Sequence, residues 1–361
     1  MGNFFVSAFL VLATLAFPGG FQKSLCQGEV NQPKDFISWD DLKVNEQMAR
    51  LSSGDSFNES RVIVVDKNGG GDSVTVQGAV NMVPNNNKQR VKIFILPGIY
   101  REKVIVPNLK PYISFIGNEN KVFETIISWN NKASDKDSNG AQLGTYKSAS
   151  VTIESDYFAA TGITFENTIV ADNKGLGMQA VALRLSGDKA LLYKIRVVGT
   201  QDTLLDESGS HYFYQSYIQG SIDFIFGRAR SLYQGCILHS TAKRSGAIAA
   251  HHRDSADENT GFSFVDSEIS GTGKIYLGRA WGNYSRVVYA NCYIDDIINP
   301  QGWSDWNNPS RQKTTVFGEY GCTGGGADRR YRVPWSKNLT YNEVKPFLDT
   351  KFIDGGMWLR L

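Results

Sequence analysis

Two aspartates offer the plainest chemistry in this chain. Asp202 ends the segment Val197-Val198-Gly199-Thr200-Gln201-Asp202, and 21 residues later Asp223 ends Ile218-Gln219-Gly220-Ser221-Ile222-Asp223. The two segments read as one repeated unit. Stacked as successive rungs of a parallel sheet, they would lie about 4.8 Å apart, with the carboxyl groups facing each other across that gap. Two carboxylates held so close do not both ionise readily, so one keeps its proton while the other stays charged. That is a general acid beside a nucleophile, obtained without histidine or metal. By repeat position alone the two aspartates are equivalent. Aspartates after Gly-Thr or Gly-Ser steps also serve as plain turn caps.

Other hydrolase signatures are missing. No Gly-x-Ser-x-Gly elbow occurs. Gly54-Asp55-Ser56 and Gly71-Asp72-Ser73 resemble a serine-esterase motif, but no Asp-x-x-His partner exists. His251-His252 is the one adjacent histidine pair, and its spacing suits neither a zinc-binding helix nor a triad. It reads as an exposed loop pair. No EF-hand-like acidic cluster is present. Neither a metal nor a cofactor is expected.

The elements that would hold the aspartates form a longer series. Phe165-Glu166-Asn167-Thr168, Val197–Thr200, Ile218–Ser221, Leu238-His239-Ser240-Thr241 and Glu268 to Thr272 all end in Ser or Thr, at separations of 32, 21, 20 and 31 residues. A period of this size with variable insertions marks a solenoid. Between the tetrads stand short β-rich apolar runs, Val151–Ile153, Ala180–Leu185, Ala190–Val198, Phe262–Val265 and Val287–Ile294. They are too short and too regularly broken for helices. Near-continuous apolar strands suit a parallel sheet with a covered inner face. An antiparallel sandwich also spaces strands regularly, but its two-residue hairpin signals are scarce here. The expected fold is all-β, a parallel β-helix.

The ends and the composition set the frame. Residues 4–17 form an apolar run too short to span a bilayer comfortably and are followed by Pro18-Gly19-Gly20. This reads as a secretory signal peptide within residues 1–28, although its start lacks Lys or Arg; an uncleaved anchor is the alternative. Sequons at Asn58, Asn283 and Asn338 agree with export and glycosylation. Residues 29–60 read as a polar linker or loosely docked arm anchored by Phe36, Ile37 and Trp39, and residues 61–361 as the catalytic domain. With 38 basic and 36 acidic residues the net charge is +2, which excludes a nucleic-acid binder by bulk charge. No later segment is apolar enough to cross a membrane, and a monomer is expected. Cys236, Cys292 and Cys322 read as buried thiols, with a Cys236–Cys292 disulfide as the alternative.

Within the domain, Val76, Ala79, Val80 and Val83 recur at helical spacing, with Asp72 or Ser73 as the expected cap. Such a helix would close the open end of the solenoid. Strands are expected at Lys92–Leu96, Ile113–Ile116 and Thr125–Ile127. The polar excursion 130–142 is expected to flank a binding groove. Thr340-Tyr341-Asn342-Glu343 is a capping box that opens a helical tail disturbed at Pro346.

Six motifs in fixed order then resemble plant pectin methylesterases: Gly98-Ile99-Tyr100-Arg101-Glu102, Gly144-Thr145-Tyr146, Gln179–Arg184, Gln201-Asp202-Thr203-Leu204, Asp223–Gly227 and Leu277-Gly278-Arg279-Ala280-Trp281. The resemblance covers about residues 61–355, with Glu319-Tyr320 also fitting. It implies a right-handed parallel β-helix that removes methyl esters from homogalacturonan, releasing methanol, outside the cell in the wall. It implies Asp223 as nucleophile, Asp202 as acid/base, Gln179 and Gln201 as oxyanion donors and Arg279 as the residue that fixes and ionises the nucleophile. Tyr146, Phe226, Trp281 and Trp303 fall where the family has groove-lining aromatics. Proteinaceous pectinesterase inhibitors are a candidate partner. Ala280 replaces the usual proline of the last motif, which lifts a φ restraint but keeps Arg279 and Trp281. The form resembled is the one without an inhibitor-like pro-region, and the opening and Trp39 region resemble the pollen-tetrad quartet type. A pectin lyase would need calcium and a basic proton abstractor, and a polygalacturonase a further acidic residue; neither set is visible. A catalytically weak pectin-binding wall protein on the same scaffold is the alternative function.

Overall fold

The tetrads fall into register. In the computed structural model of this chain, Phe165 lies opposite Val197, Val197 opposite Ile218, Ile218 opposite Leu238 and Leu238 opposite Ile269, all on parallel strands. The five side chains are buried in one continuous core. Each contributes about 1.5–3 kcal/mol by leaving water, so one apolar residue per rung repays the repeat. The structure describes residues 35–45, 61–171 and 176–361. The expected signal segment, residues 29–34 and 46–60 of the arm, and with them Asn58, lie outside the described residues.

Three faces wrap this core. One is an eleven-stranded sheet that begins Arg61–Val65, Val91–Ile95, Ile113–Ile116 and ends Arg286–Ala290, Val316–Tyr320, Lys337–Asn338. The other two faces belong to a single fourteen-stranded sheet. Strands such as Arg196–Val198 and Tyr217–Gly220 build one of them, and Leu204–Asp206 and Ile225–Gly227 the other. Two long strands, Ile237–His251 and Glu268–Ala280, run through both faces and join them. Among the described residues all pairings between strands are parallel, which excludes the antiparallel sandwich. The architecture is a right-handed parallel β-helix, the hand that parallel crossovers take.

The helix at the open end spans Val76–Met82 and buries Val76, Ala79 and Val80. Its cap is Thr75, whose side chain accepts from Gly78 N, and not Asp72 or Ser73. Glu102 completes the end by accepting from Val76 N and Gln77 N at 2.8 and 2.9 Å, a carboxylate on free N–H groups. At the far end Thr340 and Glu343 form the expected capping box, with Thr340 N donating to the Glu343 carboxylate at 2.8 Å; Thr340 Oγ1 donates to the same oxygen, and short helical turns follow. The arm is firmly docked where it is described. Ile37 is buried and Ile37–Ser38 pairs with Leu359–Arg360, while Trp39 packs on Tyr193 with ring centroids 4.9 Å apart.

Among the described residues, Cys236, Cys292 and Cys322 are free thiols. Strand register places Ser267 between Cys236 and Cys292, and Ser267 Oγ accepts from Cys236 N. Two rungs separate Cys236 from Cys292, roughly 9–10 Å, beyond the reach of a disulfide.

Candidate active site

The repeated Gly-Thr/Ser-x-Asp step makes a corner between the two faces of the larger sheet. Gly220 is needed there because Phe224 tucks beneath it; a Cβ at Gly220 would sit 2.2 Å from that of Phe224. The chain then turns through left-handed φ at the aspartates themselves, +57° at Asp202 and +45° at Asp223. Aspartate tolerates this conformation better than most residues. Asp202 N donates to Ile222 O at 3.0 Å, Ala180 N to Gln201 O at 3.1 Å, and Gln201 bridges Ile222. Asp202 and Asp223 are therefore register partners on adjacent rungs, and Gln179 and Gln201 are partners one residue earlier.

Burial does most of the electrostatic work. Desolvation pushes the Asp202 carboxyl well above the usual carboxylate range, the charge of Asp223 adds to this, and Arg279 and the Gln201 amide oppose it. Desolvation also raises Asp223, against the direct opposition of Arg279. Arg279 Nε donates to Asp223 Oδ1 at 2.8 Å, and its Nη2 donates to Oδ2. This fork makes Asp223 the charged member of the pair and leaves the proton on Asp202. The symmetry of the repeat is thus broken from outside it, by a side chain from Glu268–Ala280.

Arg279 belongs to an outward-facing column. Arg184, Leu205, Phe226, Ala250, Arg279 and Ser304 follow one another in register up the face. Leu205, Phe226 and Ala250 form an apolar strip with Val181, packed by Trp281 and Trp306. Trp281 leans on Phe226 and meets His252 edge to face at 4.7 Å. Tyr146, on the turn Gly144–Lys147, is 45% exposed and faces Arg184. The excursion before that turn flanks the site, with Ala133 N donating to Gln179 O at 2.8 Å. Gln179 Oε1 is buried without a donor among the described residues. Asn283 and Asn338 are exposed.

Trp303 is a correction. It belongs to the inward column, opposite Gly278 and in line with Ala249, Ile225 and Leu204, and it is 1% exposed. Its Nε1 donates to Glu319 within the core at 3.2 Å. Alternation along the strand puts Ser304 outward and Trp303 inside. Trp306, which sequence reading passed over, takes the groove position and stacks over the Arg279 guanidinium at 3.9 Å. The histidine pair is also split. His251 is fully buried and His252 stands beside Trp281. Ala280 is buried at the end of its strand and leaves the Arg279 fork in place.

Residues 62–356 match the pectinesterase family profile. The chain is 64% identical to pectinesterase QRT1 of Arabidopsis thaliana over 360 residues, 94% of each chain. It is 40% identical to probable pectinesterase 8 of the same plant, over 94% of this chain and 89% of that one. Among solved structures, the pectin methylesterase from carrot superposes with a TM-score of 0.75 at 35% identity, covering 84% of this chain and 96% of the carrot chain. The pectin methylesterase of Aspergillus niger, 24% identical, shares the fold with a TM-score of 0.70 over 85% of this chain and 98% of that one. A β-helix with paired aspartates at its corner, matched in sequence and shape along nearly all of its folded length, makes this chain a member of the pectinesterase family.

Proposed function

We propose that the chain removes methyl esters from homogalacturonan through Asp223 and Asp202, with methanol as the released product. The observation that carries this reading is the Arg279 fork, which separates the roles of two otherwise equivalent carboxyl groups. Held on both oxygens, the Asp223 carboxylate keeps a free lone pair on each for attack on the C6 ester carbonyl. Charge then develops on the carbonyl oxygen. The side-chain amides of Gln179 and Gln201 would donate to it, a kind of contact that costs roughly 3 kcal/mol per donor when removed. Asp202 gives its proton to the departing methoxide oxygen, leaving an anhydride on Asp223. As the resulting base, Asp202 takes a proton from water, and the hydroxide formed opens the anhydride to galacturonate and free Asp223.

The strip of Leu205, Phe226, Trp281 and Trp306 supplies apolar floor for the methyl ester and faces for the sugar rings. Residues 1–28 act as a secretory signal and 29–60 as an arm to the catalytic domain. The mature protein works in the cell wall as a monomer, glycosylated at Asn58, Asn283 and Asn338, and is open to proteinaceous inhibitors. The test is methanol release from highly methylated pectin by the secreted protein, with Asp223→Asn as control and a chelator present. Release that survives the chelator and disappears in the variant supports the aspartyl mechanism. No release by a folded wild type that still binds oligogalacturonide would overturn it in favour of a binding protein.

A further inference from the structure

A column of small side chains runs along the corner where strands of the eleven-stranded sheet end. Gln215, Gly235, Asp266, Asn291 and Gly321 each turn through left-handed φ, between +50° and +61°. The residue after each is Ser216, Cys236, Ser267, Cys292 or Cys322, and all five leave their rungs toward the core. Register stacks them in this order, because Tyr214, Gln234, Val265, Ala290 and Tyr320, two residues earlier, are successive strand partners.

Cys236 therefore stands between two serines. Cys292 and Cys322 are the one pair of cysteines on adjacent rungs among the described residues. Adjacent rungs lie about 4.8 Å apart, inside the range of Cα separations that a disulfide spans. The chain is pinned on both sides of the pair, with Asn291 N donating to Tyr320 O at 2.8 Å and Thr323 N to Cys292 O at 2.9 Å. The two side chains also lie alike. The Cys292 thiol donates to Phe264 O at 3.4 Å and the Cys322 thiol to Tyr289 O at 3.6 Å, carbonyls that are themselves register partners.

The two thiols differ in access and in acidity. Cys292 is fully buried, whereas Cys322 is partly exposed. Contact with the Cys292 side chain holds the Cys322 thiol below its usual range. Burial first, and the same contact second, push the Cys292 thiol up. The accessible member is thus the readier thiolate, and the thiolate is the form that attacks a disulfide.

We propose that Cys292 and Cys322 are joined as a disulfide when the chain is exported, closing a loop that contains Trp303 and Trp306. This rests on the export reading above and is independent of the esterase reading. The oxidant is an external disulfide, carried by a thiol–disulfide oxidoreductase or a small thiol. Cys322 Sγ attacks one of its sulfurs, forming a mixed disulfide and expelling the other sulfur as a thiolate. That thiolate takes the Cys292 proton. Cys292 Sγ then attacks Cys322 Sγ and expels the second external sulfur as a thiol. Two protein thiols are oxidised to one disulfide and the external disulfide is reduced to two thiols. Cys236, with serine on either side, stays a thiol.

The experiment denatures the secreted protein without reductant, alkylates it with iodoacetamide and maps the cysteine peptides by mass spectrometry. Cys236 should carry the label while Cys292 and Cys322 appear as one linked peptide pair, and all three should take the label after reduction. The melting temperature should fall by about 5 °C in reductant. Cys322→Ser, which places at this rung the residue that Ser216 and Ser267 supply at others, should melt at the same temperature with and without reductant. Label on both Cys292 and Cys322 without prior reduction overturns the proposal, as does a link through Cys236. If the protein never reaches the medium, the export reading fails. Protein purified from cells and treated with oxidised glutathione then tests the pair, and labelling of Cys292 and Cys322 after that treatment overturns it.

Discussion

Arg279 and Asp223 lie 56 residues apart in sequence, on strands separated by one intervening rung, yet the guanidinium lies along the carboxylate with Nε 2.8 Å from Oδ1. The relation is directional. Burial raises the affinity of Asp223 for a proton and Arg279 is what opposes it. Arg279→Lys replaces a planar fork with a point charge. We expect kcat/KM to fall about a hundredfold, corresponding to about 3 kcal/mol for a broken buried pair. The acid limb of the pH–rate profile should move to higher pH. A titration of kcat/KM against pH checks both, and an unmoved acid limb would mean that Asp223 is not the ionised group.

Asp202 gives a stability prediction of opposite sign to the usual carboxylate. Its folded-state pKa is raised, so the folded protein binds that proton more tightly than the unfolded chain does. Stability is then lost as pH rises from the unfolded value near 3.8 through the raised folded value. Asp202→Asn mimics the protonated form. The variant should be inactive, yet melt at higher temperature than wild type at pH 7, with the difference shrinking toward pH 4. Melting curves at three pH values test this.

His251 behaves in the reverse sense. It is fully buried, its Nδ1 accepts from Arg286 N, and burial depresses its pKa to about 3. The unfolded chain takes up that proton below about pH 6.5 while the folded protein does not. Stability therefore falls as pH drops below 6.5, by about 1.4 kcal/mol per pH unit until the folded pKa is reached. In His251→Asn the melting temperature should be lower at pH 7 but should change less between pH 7 and pH 4.5. A parallel decline in both proteins would sink the idea.

The two tryptophans should separate packing from recognition. Trp303→Ala empties a core site and should cost about 3–5 kcal/mol of stability, with KM little changed in the protein that remains folded. Trp306→Ala removes the ring over Arg279 and should raise KM for pectin while changing stability by about 1 kcal/mol or less. Urea unfolding and initial rates on the same preparations distinguish the two outcomes.

The register of the aspartates was legible in the sequence because two successive rungs repeat the same Gly-Thr/Ser-x-Asp step, and a repeat that must bury one apolar residue per turn cannot slip by one. The Thr340 capping box was legible because its partner, Glu343, is only three residues on, whereas the capping role of Glu102 was not, since the N–H groups it accepts from, on Val76 and Gln77, stand 26 and 25 residues before it. Trp303 was not. The strand Trp303–Ser304 is two residues long and follows the irregular stretch 295–302, so no neighbouring alternation announces which side faces inward. The continuous strand Ile237–His251 was hidden too, because it runs on where earlier rungs turn. The cysteine ladder needed register across three rungs before Ser267 could be seen between Cys236 and Cys292.

A stack of repeats has open ends, and in a simple stack each end can melt while the middle persists. Here Ile37–Ser38 lies against Leu359–Arg360, and the side chains behind them pack on the middle rungs through Trp39 and Tyr193. The first strand of the described arm and the last strand of the chain are thereby tied to each other and to the centre of the array. Fraying at either end must first break contacts with the other, which couples the two ends into one cooperative transition. Hydrogen exchange at the terminal strands should then report an opening energy close to that of the whole molecule.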